Sequence, residues 1–246
     1  MVKIEVVLKG KAFPEAYKLW DKLSKEVETQ YIDRKVIDGF SGKELGFADV
    51  SETLLKSKAD RFFIELNGGS VEFSYIADLD FSRLDIKNLA TTKEFAEQWV
   101  SQIVNEPDFV QGRLYDGEYD RWQNMENIAY YDSEGRDHSS LSKKTNGLPF
   151  PLESEVIDIS MNPGRWELKK GYIECVGSTM WVSKALLEDL GVDNFSMEYA
   201  TDLGSILKFD VQDDCFKDSK GEEAKAQNFL RKMLFNNSSF GVQIMR

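Results

Sequence analysis

The sequence predicts an α+β protein in which antiparallel sheets pack against amphipathic helices. The chain has 246 residues, of which 41% are hydrophobic, and this is enough to form a substantial core. Apolar residues alternate with polar ones over residues 2–8, the period of a strand, and recur at helical spacing over residues 13–27. Glycine-containing turns at 67–69 and 170–171 each separate short apolar runs, which is typical of antiparallel hairpins.

The N-terminal part is predicted to begin with a strand and a helix. Lys3 and Glu5 alternate with apolar residues in the strand. Pro14 suits the first turn of the helix because that position needs no backbone N–H donor. The apolar face of this helix comprises Phe13, Ala16, Tyr17, Trp20, Leu23 and Val27.

A hairpin and a second helix follow. Residues 61–66 and 71–76 flank Asn67-Gly68-Gly69, whose residues tolerate positive φ, so we expect two paired strands. Thr91-x-x-Glu94 can form a capping box at the start of the next helix, and Pro107 ends the run. The apolar face of this helix comprises Phe95, Ala96, Trp99, Val100 and Ile103.

The C-terminal part contains a similar series of elements. The predicted elements are a hairpin of 165–169 and 172–176, a helix from about 179 to before Gly191, strands at 195–200 and 205–210, and a helix at 221–235. Glu222 and Glu223 begin the last helix and Arg231 and Lys232 come late, which suits the helix dipole. Its predicted inward residues are Ala226, Phe229, Leu230 and Met233.

Both parts can be written as strand, helix, strand, strand, helix, although such an order can also arise by chance. We therefore predict an N-terminal α+β lobe at 1–115, an acidic aromatic connector at 116–155, and a C-terminal α+β lobe at 156–246. Two similar lobes and one compact domain are both compatible with this order. Residues 138–151, rich in Ser, Asn, Gly and Pro, are predicted to be a loop or linker.

The charge of the chain points to the class of partner. There are 43 acidic and 31 basic residues, giving a net charge of −12, which disfavours nucleic acids and anionic membranes and favours a basic partner. Residues 105–137 contain nine acids and three arginines and carry half of this net charge. The same segment is rich in Tyr and Trp, residues that often contribute most to interfaces.

We therefore predict a partner-binding surface in this segment, helped by acids near residue 215. The alternative is a solvated loop whose aromatic side chains dock onto the lobes. Trp122 is the tryptophan most expected to contact a partner. The candidate partner-binding residues are Asp116, Glu118, Tyr119, Asp120, Trp122, Glu126, Tyr130, Tyr131, Asp132, Glu134, Asp213, Asp214 and Asp218.

Few residues suggest catalysis. His138 is the single histidine, which excludes metal sites built from several imidazoles, and the common phosphate-binding loops are missing from the sequence. We predict no catalytic, cofactor-binding or metal-binding residues, although a carboxylate-dependent hydrolase remains an alternative. Two cysteines, Cys175 and Cys215, and an N-terminus without a signal-peptide core favour buried free thiols in a cytoplasmic protein.

The C-terminal part contains three short motifs, Asn162-Pro163-Gly164-Arg165-Trp166, Lys170-Gly171-Tyr172-Ile173-Glu174 and Gly177-Ser178-Thr179-Met180-Trp181. They resemble motifs of bacterial polymorphic-toxin immunity proteins, in particular the α+β immunity family numbered fifty-two. The resemblance implies a cytoplasmic protein, without catalytic residues, that binds and neutralises a cognate toxin, often a nuclease. A protein-interaction or regulatory module outside toxin systems is the main alternative.

Overall fold

A ten-stranded antiparallel sheet organises the chain, in the order β13-β14-β12-β7-β1-β6-β5-β4-β2-β3. The computed structural model describes residues 2–25, 28–89, 92–192 and 200–235. Two further pairs, β8-β9 and β10-β11, form small separate sheets. Helices pack on both sides of the large sheet, so the predicted α+β class is confirmed.

The strands are β1 (Val2–Lys9), β2 (Lys35–Asp38), β3 (Lys43–Gly46), β4 (Phe62–Leu66), β5 (Gly69–Ile76), β6 (Phe81–Lys87), β7 (Phe109–Asp116), β8 (Lys143–Thr145), β9 (Glu155–Ile157), β10 (Glu167–Lys169), β11 (Tyr172–Glu174), β12 (Thr179–Ser183), β13 (Ala200–Asp202) and β14 (Ile206–Asp210). The α-helices are α1 (Ala16–Ser24), α2 (Glu28–Tyr31), α3 (Val50–Ser57), α4 (Lys93–Ser101), α5 (Gly117–Gln123), α6 (Ile128–Ser133), α7 (Lys184–Asp189) and α8 (Gly221–Phe235). Two 3-10 turns lie at Phe47–Asp49 and Ala77–Leu79.

The two sides of the sheet carry different cores, because side chains alternate along each strand. The first face, which includes Ile4, Val6 and Leu8 of β1, packs against α1, α3 and α4. The second face, which includes Val7, packs against α7, α8 and β11. Glu5 lies on the second face too, opposite Arg113 of β7 and Asp85 of β6 in the pairing register.

Several local predictions are confirmed. β1, α1 and the hairpin β4-β5 lie where expected, and the hairpin β10-β11 turns at Lys170-Gly171 with positive φ at the glycine. Thr92 caps α4 by accepting from Phe95 N, whereas Thr91 of the predicted capping box lies outside the described residues. Val27 and nearly all of the predicted strand 195–200 also lie outside them.

Other local predictions were wrong. Residues 179–183 form β12 rather than the start of a helix, because this strand is buried along its whole length and its apolar residues therefore do not alternate. The predicted loop at 138–151 contains β8, which pairs with β9. Phe229, expected to point inward from α8, is 45% exposed, whereas Arg231 of the same helix is buried.

Part of the acidic segment 105–137 is a strand of the large sheet. β7 is buried at all eight positions and pairs with β1 on one side and β12 on the other. Strands from both predicted lobes therefore belong to one sheet. None of the helices described in the structure is long and apolar enough to cross a membrane.

Candidate protein-interaction surface

Residues 162–166 are hydrogen-bonded to the C-terminal end of α5. Asn162 Nδ2 donates to the Gln123 carbonyl at 2.8 Å, and Gly164 N donates to Gln123 Oε1 at 3.1 Å. Trp166 N donates to Asn124 Oδ1 at 2.8 Å. The first of the three motifs is thus hydrogen-bonded to the end of α5.

Two glycines of the same motifs lie at close approaches. A Cβ on Gly164 would come within 2.7 Å of the Gln123 side chain, and one on Gly177 within 2.4 Å of the Leu114 carbonyl oxygen. The second contact is with backbone, which cannot move aside cheaply. These positions therefore fix how closely the 162–177 chain packs on α5 and β7.

A buried charge network fastens α5 to the second face. Arg113 Nε lies 2.8 Å from Glu5 Oε1, and Arg113 Nη1 lies 2.9 Å from Asp120 Oδ1. The Arg113 guanidinium also stacks on the Tyr115 ring at 4.1 Å. Burial opposes ionisation of Glu5, but the neighbouring Arg113 and Arg83 lower its pKa overall, whereas burial raises the pKa of Asp120 despite Arg113.

Two more candidate residues hold α5 in place. Asp116 caps the helix, its Oδ1 accepting from Glu118 N at 2.9 Å and from Tyr119 N at 2.8 Å. The Tyr119 hydroxyl lies 3.0 Å from Gln227 Oε1 of α8 and 3.1 Å from the Asp218 carbonyl, and burial raises its pKa to about 12. Asp116, Tyr119 and Asp120 therefore contribute first to the local fold.

The other candidate acids between residues 116 and 134 form ion pairs at the surface. The pairs are Glu118–Arg136 at 3.4 Å, Glu126–Lys144 at 2.8 Å, Asp132–His138 at 3.0 Å and Glu134–Arg121 at 3.0 Å. The Asp132–His138 contact is an ion pair only when His138 is protonated. Arg121 and Arg136 are already counted in the net charge of residues 105–137, whereas Lys144 lies outside this segment and compensates Glu126 in addition.

The aromatic candidates stack with arginines and with one another. The rings of Trp122 and Tyr131 meet edge to face at 5.0 Å, and the Arg136 guanidinium lies 4.0 Å above Trp122. Tyr131 is buried and donates its hydroxyl to the Met125 carbonyl, while Tyr130 is about half exposed beside Arg121. Trp122 and Tyr130 are thus the more accessible of these aromatic side chains.

The three candidate acids of the C-terminal part lie in two places. Residues 217–219 line a cleft of about 410 Å³ with Trp122 and Arg136, and this segment includes Asp218. Asp213 and Asp214 are exposed in the turn after β14, where the Gln212 carbonyl accepts from Lys93 of α4.

Sequence reasoning missed a group of exposed apolar side chains beyond residue 138. They lie at Leu148, Phe150 and Leu152 in the tip of the β8-β9 hairpin, and at Met161. Met161 lines a cleft of about 520 Å³ together with Trp122 and Tyr131. The sequence signal for this group is the alternation of apolar residues with proline in Leu148-Pro149-Phe150-Pro151-Leu152. It was overlooked because most of this stretch was interpreted as a polar loop or linker.

The reactive side chains are dispersed. Among the residues that the structure describes, no group of three or more His, Cys, Asp or Glu could hold a metal ion. Cys175 and Cys215 are buried free thiols, as predicted, and burial raises the pKa of Cys175 to about 12.

Comparisons with known proteins identify a shared fold. The chain resembles the solved structure named "Pseudomonas aeruginosa T6SS protein PA0821" with a TM-score of 0.54 and 10% identity, over 95% of this chain and 73% of that one. No family model matches, so the resemblance to the immunity family numbered fifty-two stays a prediction. No curated protein matches either. At this identity the likeness establishes the fold.

Proposed function

We propose that this protein is a cytoplasmic immunity protein that binds and neutralises a cognate bacterial toxin, and that it acts by binding rather than by catalysis. The observation that carries the proposal is the fold shared along 95% of the chain with a type VI secretion protein. The resemblance of three motifs to those of immunity proteins supports it.

The net charge supports a particular class of toxin. A nuclease holds a phosphate backbone, so its active face is commonly basic. A chain of net charge −12 is attracted to such a face, which speeds capture, while buried aromatic contacts slow release. A nuclease-type toxin is therefore the partner that we propose.

The test is co-expression with the toxin domain encoded beside this gene. We expect the host to survive only when both proteins are made, and the two to co-purify as a stable complex. A toxin from an unrelated system is the control, and it should still kill. If the cognate toxin kills equally and does not co-purify, the proposal is wrong for that pair and a general interaction module becomes the better interpretation.

The exposed candidate residues are proposed to contribute to capture of the toxin. Glu118, Asp132 and Glu134 can exchange their internal ion pairs for basic groups of a partner. Neutralising all three, with Glu118→Gln, Asp132→Asn and Glu134→Gln, should lower the association rate about tenfold at low salt. A matched control neutralises Glu15, Glu52 and Glu222, which pair with lysines elsewhere. Equal rates for the two variants would exclude this surface from capture.

A further inference from the structure

The tip of the β8-β9 hairpin presents apolar side chains to solvent. We name residues 146–154 the apolar loop. Phe150 is 89% exposed, Leu152 66% and Leu148 51%. Single exposed apolar residues are ordinary, whereas three of them on one loop form a candidate interaction site.

The shape of the loop is fixed from within by Asn146. Its Nδ2 donates to the Leu152 carbonyl at 2.9 Å and to Ser154 Oγ at 2.8 Å. Its Oδ1 accepts from Leu148 N at 3.1 Å and from Ser154 N at 3.2 Å. The half-buried side-chain amide of Asn146 therefore ties both ends of the apolar loop together and uses its full hydrogen-bonding capacity.

Prolines restrict the loop further. Pro149 and Pro151 bracket Phe150, and their rings fix φ, so the backbone around Phe150 has few alternative conformations. Leu152 N also donates to the Pro149 carbonyl at 2.9 Å. A loop that is already ordered loses little conformational entropy on binding, which favours a role as a preformed anchor.

The loop projects from a fixed base. Ile157 of β9 is buried, and its N–H donates to the Glu126 carbonyl at 2.9 Å. Asp158 N donates to the Ser142 carbonyl at 2.8 Å on the opposite strand. The hairpin is thus held against the region between α5 and α6, while the apolar side chains of its tip are exposed to solvent.

The charges around the tip indicate the chemistry of that partner. Lys143 pairs with Glu155 at 3.1 Å and Lys144 with Glu126 at 2.8 Å, so both lysines are compensated. Glu153, next to Leu152, is exposed and forms no ion pair with the residues that the structure describes. The rim of the tip is therefore negative, as is the whole chain, which disfavours an anionic lipid surface.

We propose that the apolar loop inserts into an apolar cleft of the toxin, with Phe150 as the central anchor and Glu153 facing lysine or arginine at the rim of the cleft. This inference rests on the proposed function, because it names the surface by which this protein holds its toxin. The exposed acids Glu118, Asp132 and Glu134 speed association with the toxin, and the apolar loop slows its dissociation.

The experiment immobilises the co-purifying toxin on a sensor surface and measures the association and dissociation rates, and hence the affinity, of the full chain. The test variant carries Leu148→Ser, Phe150→Ser and Leu152→Ser. The matched control carries Phe40→Ser, Leu55→Ser and Leu203→Ser, which are 53%, 50% and 45% exposed elsewhere on the molecule. We expect the test variant to bind at least about a hundredfold more weakly, mainly through faster dissociation, and the control to change less than about threefold.

A second variant separates shape from apolar area. Asn146→Ala keeps all three apolar side chains but removes the four hydrogen bonds that fix the loop. We expect about tenfold weaker binding, because the loop must then be ordered on association. Circular dichroism and thermal melting show whether each variant keeps the fold.

Several outcomes would overturn the inference. If the wild type binds the toxin and the loop variant binds equally tightly, the loop is not the anchor and only this inference fails. If the wild type does not bind the toxin, the proposed function and this inference fail together. Flotation with neutral or anionic phospholipid vesicles that depends on the loop would assign it to a membrane. A wild-type dimer that the loop variant converts to monomer would assign it to a second copy of this chain.

Discussion

Both faces of the large sheet carry an apolar core, and the second face also contains a buried ion network. On the first face, Ile4, Val6 and Leu8 of β1 pack under α1 and α4 in a continuous apolar core. On the second face, the neighbouring position Glu5 contacts Arg113 of β7 and Arg83 of β6. Apolar burial stabilises the sheet without strict geometry, whereas an ion network requires specific distances.

This difference suggests a division of roles. Glu5 Oε2 lies 2.6 Å from Arg83 Nη2, and Arg83 Nε lies 3.0 Å from Asp85 Oδ2, so the network extends over three strands. Arg113 then connects it to Asp120 of α5. Our hypothesis is that the first face supplies most of the stability, whereas the network on the second face fixes the position of α5 and of the segment that follows it.

The largest expected effect tests the first face. Phe73 is fully buried between Phe62 and Phe13, with ring centroids 5.8 and 6.3 Å away. Phe73→Ala should lower the free energy of unfolding by about 4 kcal/mol, because it removes apolar contacts and leaves a cavity. Urea unfolding followed by tryptophan fluorescence measures this, with the exposed Phe40→Ala as the control. A loss smaller than that of Arg113→Met would reverse the proposed ranking of the faces.

The second face is tested by Arg113→Met. This change leaves Glu5 and Asp120 without a shared cation, although Arg83 still compensates Glu5, so we expect a loss of about 3 kcal/mol. Hydrogen exchange should show α5 losing protection more than α1. The exposed Arg121→Met is the matched control. Uniform loss of protection over both helices would mean that the network does not position α5 specifically.

A pH titration sharpens the comparison further. Burial raises the pKa of Asp85 to about 6, above its ordinary value near 4, so the folded state binds the proton more tightly than the unfolded state does. The contribution of this group therefore grows as pH falls from 7 to 5. We expect the stability difference between the wild type and Asp85→Asn to shift by about 1 kcal/mol in favour of the wild type over that interval. A constant difference would contradict the raised pKa.

The smallest expected effect lies at the surface pairs. Glu134→Gln breaks an ion pair with Arg121 whose partners are both largely exposed. The loss should be about 0.5 kcal/mol or less, since solvent and salt screen such pairs. Thermal melting at low and high salt measures it. A loss approaching that of Arg113→Met would show that the surface charges, too, determine the fold of the segment.

The parts of the fold that could be predicted from the sequence are local ones. The Asn67-Gly68-Gly69 turn and the alternation in residues 2–8 depend on neighbours in the chain, and both predictions are confirmed. β12 was misread because a strand buried on both sides loses its alternation and resembles a helix segment. The hairpin β8-β9 was missed because its strands have three residues each in a polar context.

The candidate site was predictable in composition but not in arrangement. The acids and aromatics of 116–134 were identifiable by their residue types alone. Their partners were not, since Asp120 is compensated by Arg113, a cation that it shares with Glu5 near the N-terminus, and Glu126 is compensated by Lys144 from the predicted linker. Net charge over a window counts residues that are neighbours in sequence, whereas ion pairs form between neighbours in space.

The central position of β7 has a consequence for synthesis of the chain. Strands β1 to β7 are complete at residue 116, but the strand that covers the other edge of β7 begins at residue 179. At about 5–20 residues per second, translation of the intervening chain takes about 3–13 seconds. During that interval the nascent sheet ends in an open edge, which is the feature through which strands of different chains aggregate. Strand β12 therefore also protects the edge of β7 against aggregation, but only after it has been synthesised. A protein truncated before β12 should accumulate in aggregates.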